Sequence, residues 1–321
     1  MEIFMIKQVL AVLLLIPTLA FSWEPTKPVT VLIGFGPGSG NEISFRKASE
    51  IVQKNNPKFS YVIENKPGVG AILPQNAMMT APADGYTISI PSHMSLFVTN
   101  DIWEKNIKKF NWDSFTNVVT LGKSPLVLVA NNNSVIDTPQ AFVSLIKLGY
   151  RPVNVGVGGG AHRMAFEYIM YQAGGDAKQV KSINYKGPLQ TVVAVAGGEI
   201  EFGIMPIAVA KPLIDAGKVK VVGLTTSKKL DHFPLLSTTV PGIGVYAGWM
   251  ISLPPNTPKD IVKWYQTEFS RAVSSKEYRD WASQNFILVI DDELSVDGTH
   301  EYGKKLRAQF APIIKNINTT E

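Results

Sequence analysis

Two short apolar runs in this chain each end in a glycine-rich turn and continue as a helical pattern. Val29-Thr30-Val31-Leu32-Ile33 leads into Gly34-Phe35-Gly36-Pro37-Gly38-Ser39-Gly40-Asn41, after which Ile43, Lys47/Ala48 and Ile51/Val52 recur at helical spacing. Val153 to Val157 leads into Gly158-Gly159-Gly160-Ala161, with a helix predicted from about His162. Strand, tight turn and helix in repeated succession require parallel strands with crossover helices, which is the α/β class. Further strands are predicted at Tyr61 to Ile63, Tyr86 to Ile90, Leu126 to Ala130, Ser182 to Tyr185 and Val219 to Thr225. Pro82-Ala83-Asp84-Gly85 is a turn, with Gly85 free to take positive φ. Thr138 caps a helix that has Pro139 at its first position, and a helix after Pro188 ends at Gly197-Gly198. Thr257-Pro258-Lys259-Asp260 has the form of a capping box ahead of an amphipathic helix along Ile261, Tyr265, Phe269 and Ala272/Val273.

At about 150 residues per domain, 321 residues make about two domains. Residues 1–22 have the form of a secretory signal. Lys7 precedes an apolar run from Val9 to Ala20, and Ala20-Phe21-Ser22 supplies a small-x-small cleavage site after Ser22. Twelve helical residues span about 18 Å, short of the roughly 30 Å hydrocarbon core, so cleavage is expected and not an anchor. The chain has no cysteine, which excludes disulfides, thiol nucleophiles and iron–sulfur clusters. His93, His162, His232 and His300 show no clustered ligand spacing, so no metal is expected. A net charge of +5 is too small at this length to indicate nucleic acid, and Lys228-Lys229 and Lys304-Lys305 are short solvated runs.

A helix N-terminus exposes unpaired N–H groups and about half a positive charge, and glycine lets such groups converge on one anion. Spacing alone supports equally a pair of tight turns and a pair of anion sites. Gly156-x-Gly158-x-x-Ala161 matches the relaxed dinucleotide fingerprint, so an exported NAD(P)-dependent oxidoreductase is an alternative. It lacks a carboxylate at the end of the following strand, and Asp176 precedes that strand. The Gly36 to Gly40 turn lacks the GK[ST] ending of a phosphate loop. Ser44-x-x-Lys47 and Ser144-x-x-Lys147 lack the partner motifs of penicillin-recognising enzymes, and no GxSxG occurs. His93 and His162 are placed either to donate to a ligand or to serve as a cap or surface group. Glu42 is read as a helix-dipole partner, and the tryptophans at 103, 112, 249, 264 and 281 as core or surface aromatics.

From about Lys27 to Ala311 the chain resembles the periplasmic solute receptors of tripartite tricarboxylate transporters, the Bug receptors. The resemblance is carried by Lys27-Pro28-Val29 with Phe35-Gly36-Pro37-Gly38-Ser39-Gly40, by Glu64-Asn65-Lys66-Pro67-Gly68-Val69-Gly70, and by Ala83-Asp84-Gly85-Tyr86-Thr87. Tyr185-Lys186-Gly187 with Gly197-Gly198, Ala216-Gly217-Lys218-Val219 and Pro255 to Val262 complete it. The resemblance implies a two-lobed periplasmic binding protein of type II with the ligand cleft between the lobes. Lobe 1 would comprise residues 23–121 and 236–321, and lobe 2 residues 122–235. It implies a non-enzymatic, cofactor-free monomer in the periplasm that binds a small carboxylated solute and delivers it to membrane permease subunits, or reports it to a sensor kinase. The ligand residues it implies are Phe35, Pro37, Gly38, Ser39, Gly40, Asn41, Ser92 and His93 from one lobe. Gly158, Gly159, Gly160, Ala161 and His162 come from the other. Met205 falls where many members carry an aspartate that suits an ammonium group, so an acid with an apolar or hydroxylated body is expected.

Overall fold

The computed structural model describes residues 23–320 apart from 103–105, 228 and 231, and the signal expected at 1–22 lies outside them. In chain order the amino-terminal elements are β1 (Val29–Ile33), α1 (Gly40–Asn55), β2 (Tyr61–Asn65), α2 (Ile72–Met78), β3 (Thr87–Ser89) and α3 (His93–Phe97). Strand β4 (Thr116–Asn131) leads to α4 (Pro139–Leu148), β5 (Val153–Val157), α5 (Gly160–Ala173), β6 (Val180–Asn184) and α6 (Pro188–Ala196). Then follow β7 (Phe202–Pro206), α7 (Ile207–Asp215), β8 (Val219–Leu224), β9 (Tyr246–Leu253), α8 (Lys259–Ser274), α9 (Lys276–Gln284) and α10 (Val296–Thr320). The strands lie in the order β2-β1-β3-β9-β4-β7-β5-β6, with β8 also on β4. β1 is parallel to β2 and β3, and β5 is parallel to β6 and β7. These are the crossover units that the sequence pattern demands.

Strand β4 joins the two ends of the sheet. Its residues Thr116 to Pro125 pair antiparallel with β9, and Leu126 to Asn131 pair with β7 and β8. The sequence pattern places a strand at Leu126 to Ala130, and the structure extends it back to Thr116, through Gly122-Lys123-Ser124-Pro125. Gly122 sits at a register shift, and Pro125 stands where the strand changes partner, a position at which a missing N–H is tolerated. Beyond it the Leu126 N–H donates to the Thr225 hydroxyl at 3.0 Å, and that hydroxyl donates to the Val245 carbonyl at 2.6 Å. One side chain thus ties together β4, the end of β8 and the segment entering β9.

Apolar packing follows the helical faces. α8 buries Ile261, Tyr265, Phe269, Ala272 and Val273 as its spacing predicts, against Val29, Val31, Phe45 and Ile251. Its start differs from the expected capping box: Pro258 is the N-cap, and the Thr257 hydroxyl donates to the Pro254 carbonyl. Thr138 does cap α4, accepting from the Ala141 N–H at 3.2 Å. Gly85 takes φ +83° in the expected turn, where its carbonyl accepts the Tyr265 hydroxyl. A second core runs from α3 and α10 to α5, with Phe97, Leu306 and Phe310 beside Phe166 and Tyr168. Gly303 of α10 lies so close to α3 that a Cβ would stand 2.9 Å from the Phe97 ring. Among the described residues no helix is long and apolar enough to cross a membrane.

The buried middle of β4 carries one ion pair. Lys123 Nζ donates to Glu293 Oε1 at 2.5 Å and stands 3.3 Å from the centre of the Tyr302 ring, with both charged side chains under 10 % exposed. Burial lowers the Lys123 pKa and raises that of Glu293, and each charge opposes that drift in the other. Removing one partner strands the other charge. Lys123→Met is expected to destabilise the fold by about 3–5 kcal/mol in urea unfolding, and adding Glu293→Leu should recover much of it. A loss below about 1 kcal/mol for Lys123→Met would contradict this role for the pair.

Candidate functional site

The first glycine turn is held by its neighbours. The Phe35 carbonyl accepts from Asn65 Nδ2 at 2.9 Å, the Ser39 N–H reaches the Gly36 carbonyl, and Gly38 takes φ +78°. Ser39 is the N-cap of α1 but its hydroxyl caps nothing. The first helical bond runs from the Ile43 N–H to the Ser39 carbonyl, so the N–H groups of Gly40, Asn41 and Glu42 precede the ladder. Asn41 is buried and donates to the Ile90 carbonyl at 2.8 Å, fastening α1 to the end of β3. Glu42 accepts from Arg46 and from Asn65, so its carboxylate is engaged beside the turn.

The second turn repeats the arrangement. Gly158 packs on the backbone of Gly187 and Pro188, leaving no room for a side chain. Gly159 is the N-cap of α5, and the first helical bond runs from Arg163 N–H to the Gly159 carbonyl, leaving the N–H groups of Gly160, Ala161 and His162 in front. A Cβ on Gly160 would stand 2.7 Å from the Thr99 hydroxyl, so glycine lets the segment after α3 approach α5. His162 is 5 % exposed, and its Nδ1 has no partner. That nitrogen lies 3.5 Å from where a Cβ on Gly159 would be, so the ring folds back on its own helix N-terminus. Burial lowers the His162 pKa to about 4, so at neutral pH the ring is uncharged.

The structure brings the two turns together. A Phe35 ring carbon lies 3.9 Å from the Cβ position of Gly159. Ser92 and His93 open α3 beside them: Ser92 bridges to Trp249, and the His93 ring packs on Gly248 while its Nε2 pairs with Thr120 Oγ1 at 3.1 Å. Burial, reinforced by Lys123, holds His93 well below the ordinary histidine pKa. Met205 is placed elsewhere. It is fully buried in the apolar cluster of Val127, Val129, Val192 and Val195, and presents no surface to a solute.

Two residues that the sequence does not single out stand beside these turns. Asn100, next to Thr99, is 1 % exposed with neither amide atom partnered, and Trp249 is 4 % exposed with an unpartnered Nε1. Trp249 lies on β9, a strand with no local signal beyond its apolar content.

The chemistry available is that of hydrogen-bond donors without side-chain charge. Nothing in the two turns contributes a lysine or arginine; positive potential comes from the helix ends. His93 Nε2 is engaged by the Thr120 hydroxyl, while His162 Nδ1 has no hydrogen-bond partner among the described residues. The dinucleotide alternative also meets a geometric obstacle. Asp176 precedes β6, and β5 and β6 are parallel, so Asp176 lies at the opposite end of the sheet from the glycine turn. Its carboxylate accepts the Lys178 N–H within a local turn.

Comparison with known proteins agrees with this geometry. The chain is 26 % identical over 267 residues to the UPF0065 protein in the gbd 5′ region of Cupriavidus necator, covering 80 % of this chain and 77 % of that one. It is 23 % identical to protein BugT of Bordetella pertussis over 261 residues, 78 % of each chain. The structure of R. palustris Rpa4515 with adipate is similar at a TM-score of 0.82 and 21 % identity, covering 91 % of this chain and 97 % of that one. MatC from Rhodopseudomonas palustris with bound malate gives 0.81 and 20 %, covering 91 % and 100 %. These likenesses establish the two-lobed periplasmic binding protein fold. The sequence profile described as "Tripartite tricarboxylate transporter family receptor" matches residues 45–318, and the chain belongs to that family.

Proposed function

We propose that this protein captures a small carboxylated organic acid between two lobes, residues 23–121 with 236–321 and residues 122–235, and delivers it to the membrane subunits of a tripartite transporter. The observation that carries this is the meeting of two unpaired helix N-termini, α1 and α5, with Phe35 against Gly159. Each offers N–H groups and a partial positive charge to an anion. Phe35, Pro37, Gly38, Ser39, Gly40 and Asn41, with Ser92 and His93, form one wall, and Gly158 to His162 form the other. Its relatives hold adipate and malate in the same fold. Chemistry on the solute is not part of the role, and the leader at 1–22 would export the chain to the periplasm as a monomer.

An acid without an ammonium group is favoured. The acidic side chain of the first turn, Glu42, is already engaged by Arg46 and Asn65. A ligand at a hundredfold excess over its dissociation constant stabilises the folded form by about 2.7 kcal/mol, raising the melting temperature by about 5 °C. Adipate, malate or a hydroxylated relative is expected to give such a shift, and glutamate and aspartate a smaller one. No shift from any carboxylate, with one from a nicotinamide dinucleotide, would overturn the proposal.

His162 supplies a test of the site's electrostatics. Its pKa is about 4 in the folded protein and about 6.5 in an unfolded chain. Between these values the unfolded chain binds the extra proton. Stability from this group is therefore full above about pH 6.5 and is lost as the pH falls towards 4, by roughly 3 kcal/mol. His162→Gln is expected to lose distinctly less stability than the parent between pH 7 and pH 4.5 in urea unfolding. Equal losses in both would contradict a buried neutral imidazole.

A further inference from the structure

Trp249 is a core aromatic by its burial but not by its polar atom. On β9 it pairs with Gly122 and bridges to Ser92, which puts its indole on the α1 side of the sheet at the end where both glycine turns lie. Its Cη2 and Cζ3 lie 2.6 Å from where a Cβ on Gly40 would be, so the ring rests against the first residue of α1 and only glycine fits there. The indole N–H has no acceptor, nor has the adjoining Ser39 hydroxyl a partner. Packing against Gly40 accounts for the size of the ring, but not for a buried N–H left without an acceptor, which costs free energy unless something accepts it. The ring therefore carries a buried, unused donor beside a helix start whose own N–H groups precede the helical ladder, a setting that favours an anion.

We propose that Trp249 is a ligand-binding residue whose indole N–H donates to the carboxylate received by the N-terminus of α1. This rests on the assignment of the cleft to a carboxylate. A carboxylate oxygen can accept from both the indole N–H and the backbone N–H groups of the helix start.

The test uses the full mature chain labelled with ¹⁵N-tryptophan. The probe is whichever of adipate, malate, benzoate and glutamate raises the melting temperature most. Trp249→Phe identifies the Trp249 indole peak by its loss, and through-space contacts to Gly40 identify it independently if that variant does not fold. On adding the acid, the Trp249 N–H is expected to move downfield more than the other indoles. Trp249→Phe, where it still gives a cooperative melting transition, is expected to bind the acid about tenfold to a hundredfold more weakly. If calorimetry shows the acid binding to the parent while the Trp249 peak stays in place, or while Trp249→Phe binds equally well, Trp249 is not a ligand and the cleft assignment stands. If no acid in the panel binds, the cleft assignment fails and this inference falls with it.

Discussion

An α-helix leaves its first N–H groups without acceptors, and the functional reading of this molecule depends on where two such helix starts are placed. The chain puts α1 and α5 at the carboxyl ends of parallel strands, β1 and β5, so both point the same kind of partial charge into one opening. Side chains would keep those ends apart. Glycine at 40 admits the Trp249 ring, at 158 the backbone of the Gly187 turn, and at 160 the Thr99 hydroxyl. The attraction for an anion therefore comes from backbone and shape, and a net charge of only +5 is compatible with it.

Behind the opening, the two parts of the sheet are joined through β4 and β9. The strand change at Pro125, the Thr225 hydroxyl and the Lys123–Glu293 pair all lie on this connection. A buried pair of this kind is weak evidence for net stability but strongly resists being half removed. Here it fixes the middle of β4 to the segment before α10. α10 in turn reaches α5, where Phe310 meets Tyr168. The carboxy-terminal helix thus touches material from both ends of the sheet.

Much of this is legible in the residues. The strand–glycine–helix units at 29–55 and 153–173, the Thr138 cap and the buried face of α8 all follow from local periodicity and turn chemistry. The misses share one cause, which is that long-range contacts override local signals. The strand read at Leu126 to Ala130 begins at Thr116 in the structure, where a bulge at Gly122, a distant glutamate on Lys123 and a change of partner at Pro125 lie within the strand. α10 contains Gly298, Gly303 and Pro312, which break its pattern, although Gly303 is there to admit Phe97. Trp249 carries no mark of a site residue, because an unpaired indole is visible only once its surroundings are known. Counting along the chain puts Met205 at the ligand. Strand β7 instead turns that side chain into the apolar cluster.

The central claim is that one carboxylate is held by backbone N–H groups from both lobes. A crystal structure with the most stabilising acid tests it most directly. The account predicts carboxylate oxygens within hydrogen-bond distance of N–H groups between Gly38 and Asn41 on one side and between Gly159 and His162 on the other. An acid bound by lysine or arginine side chains away from these turns, or held by one lobe alone, would contradict it.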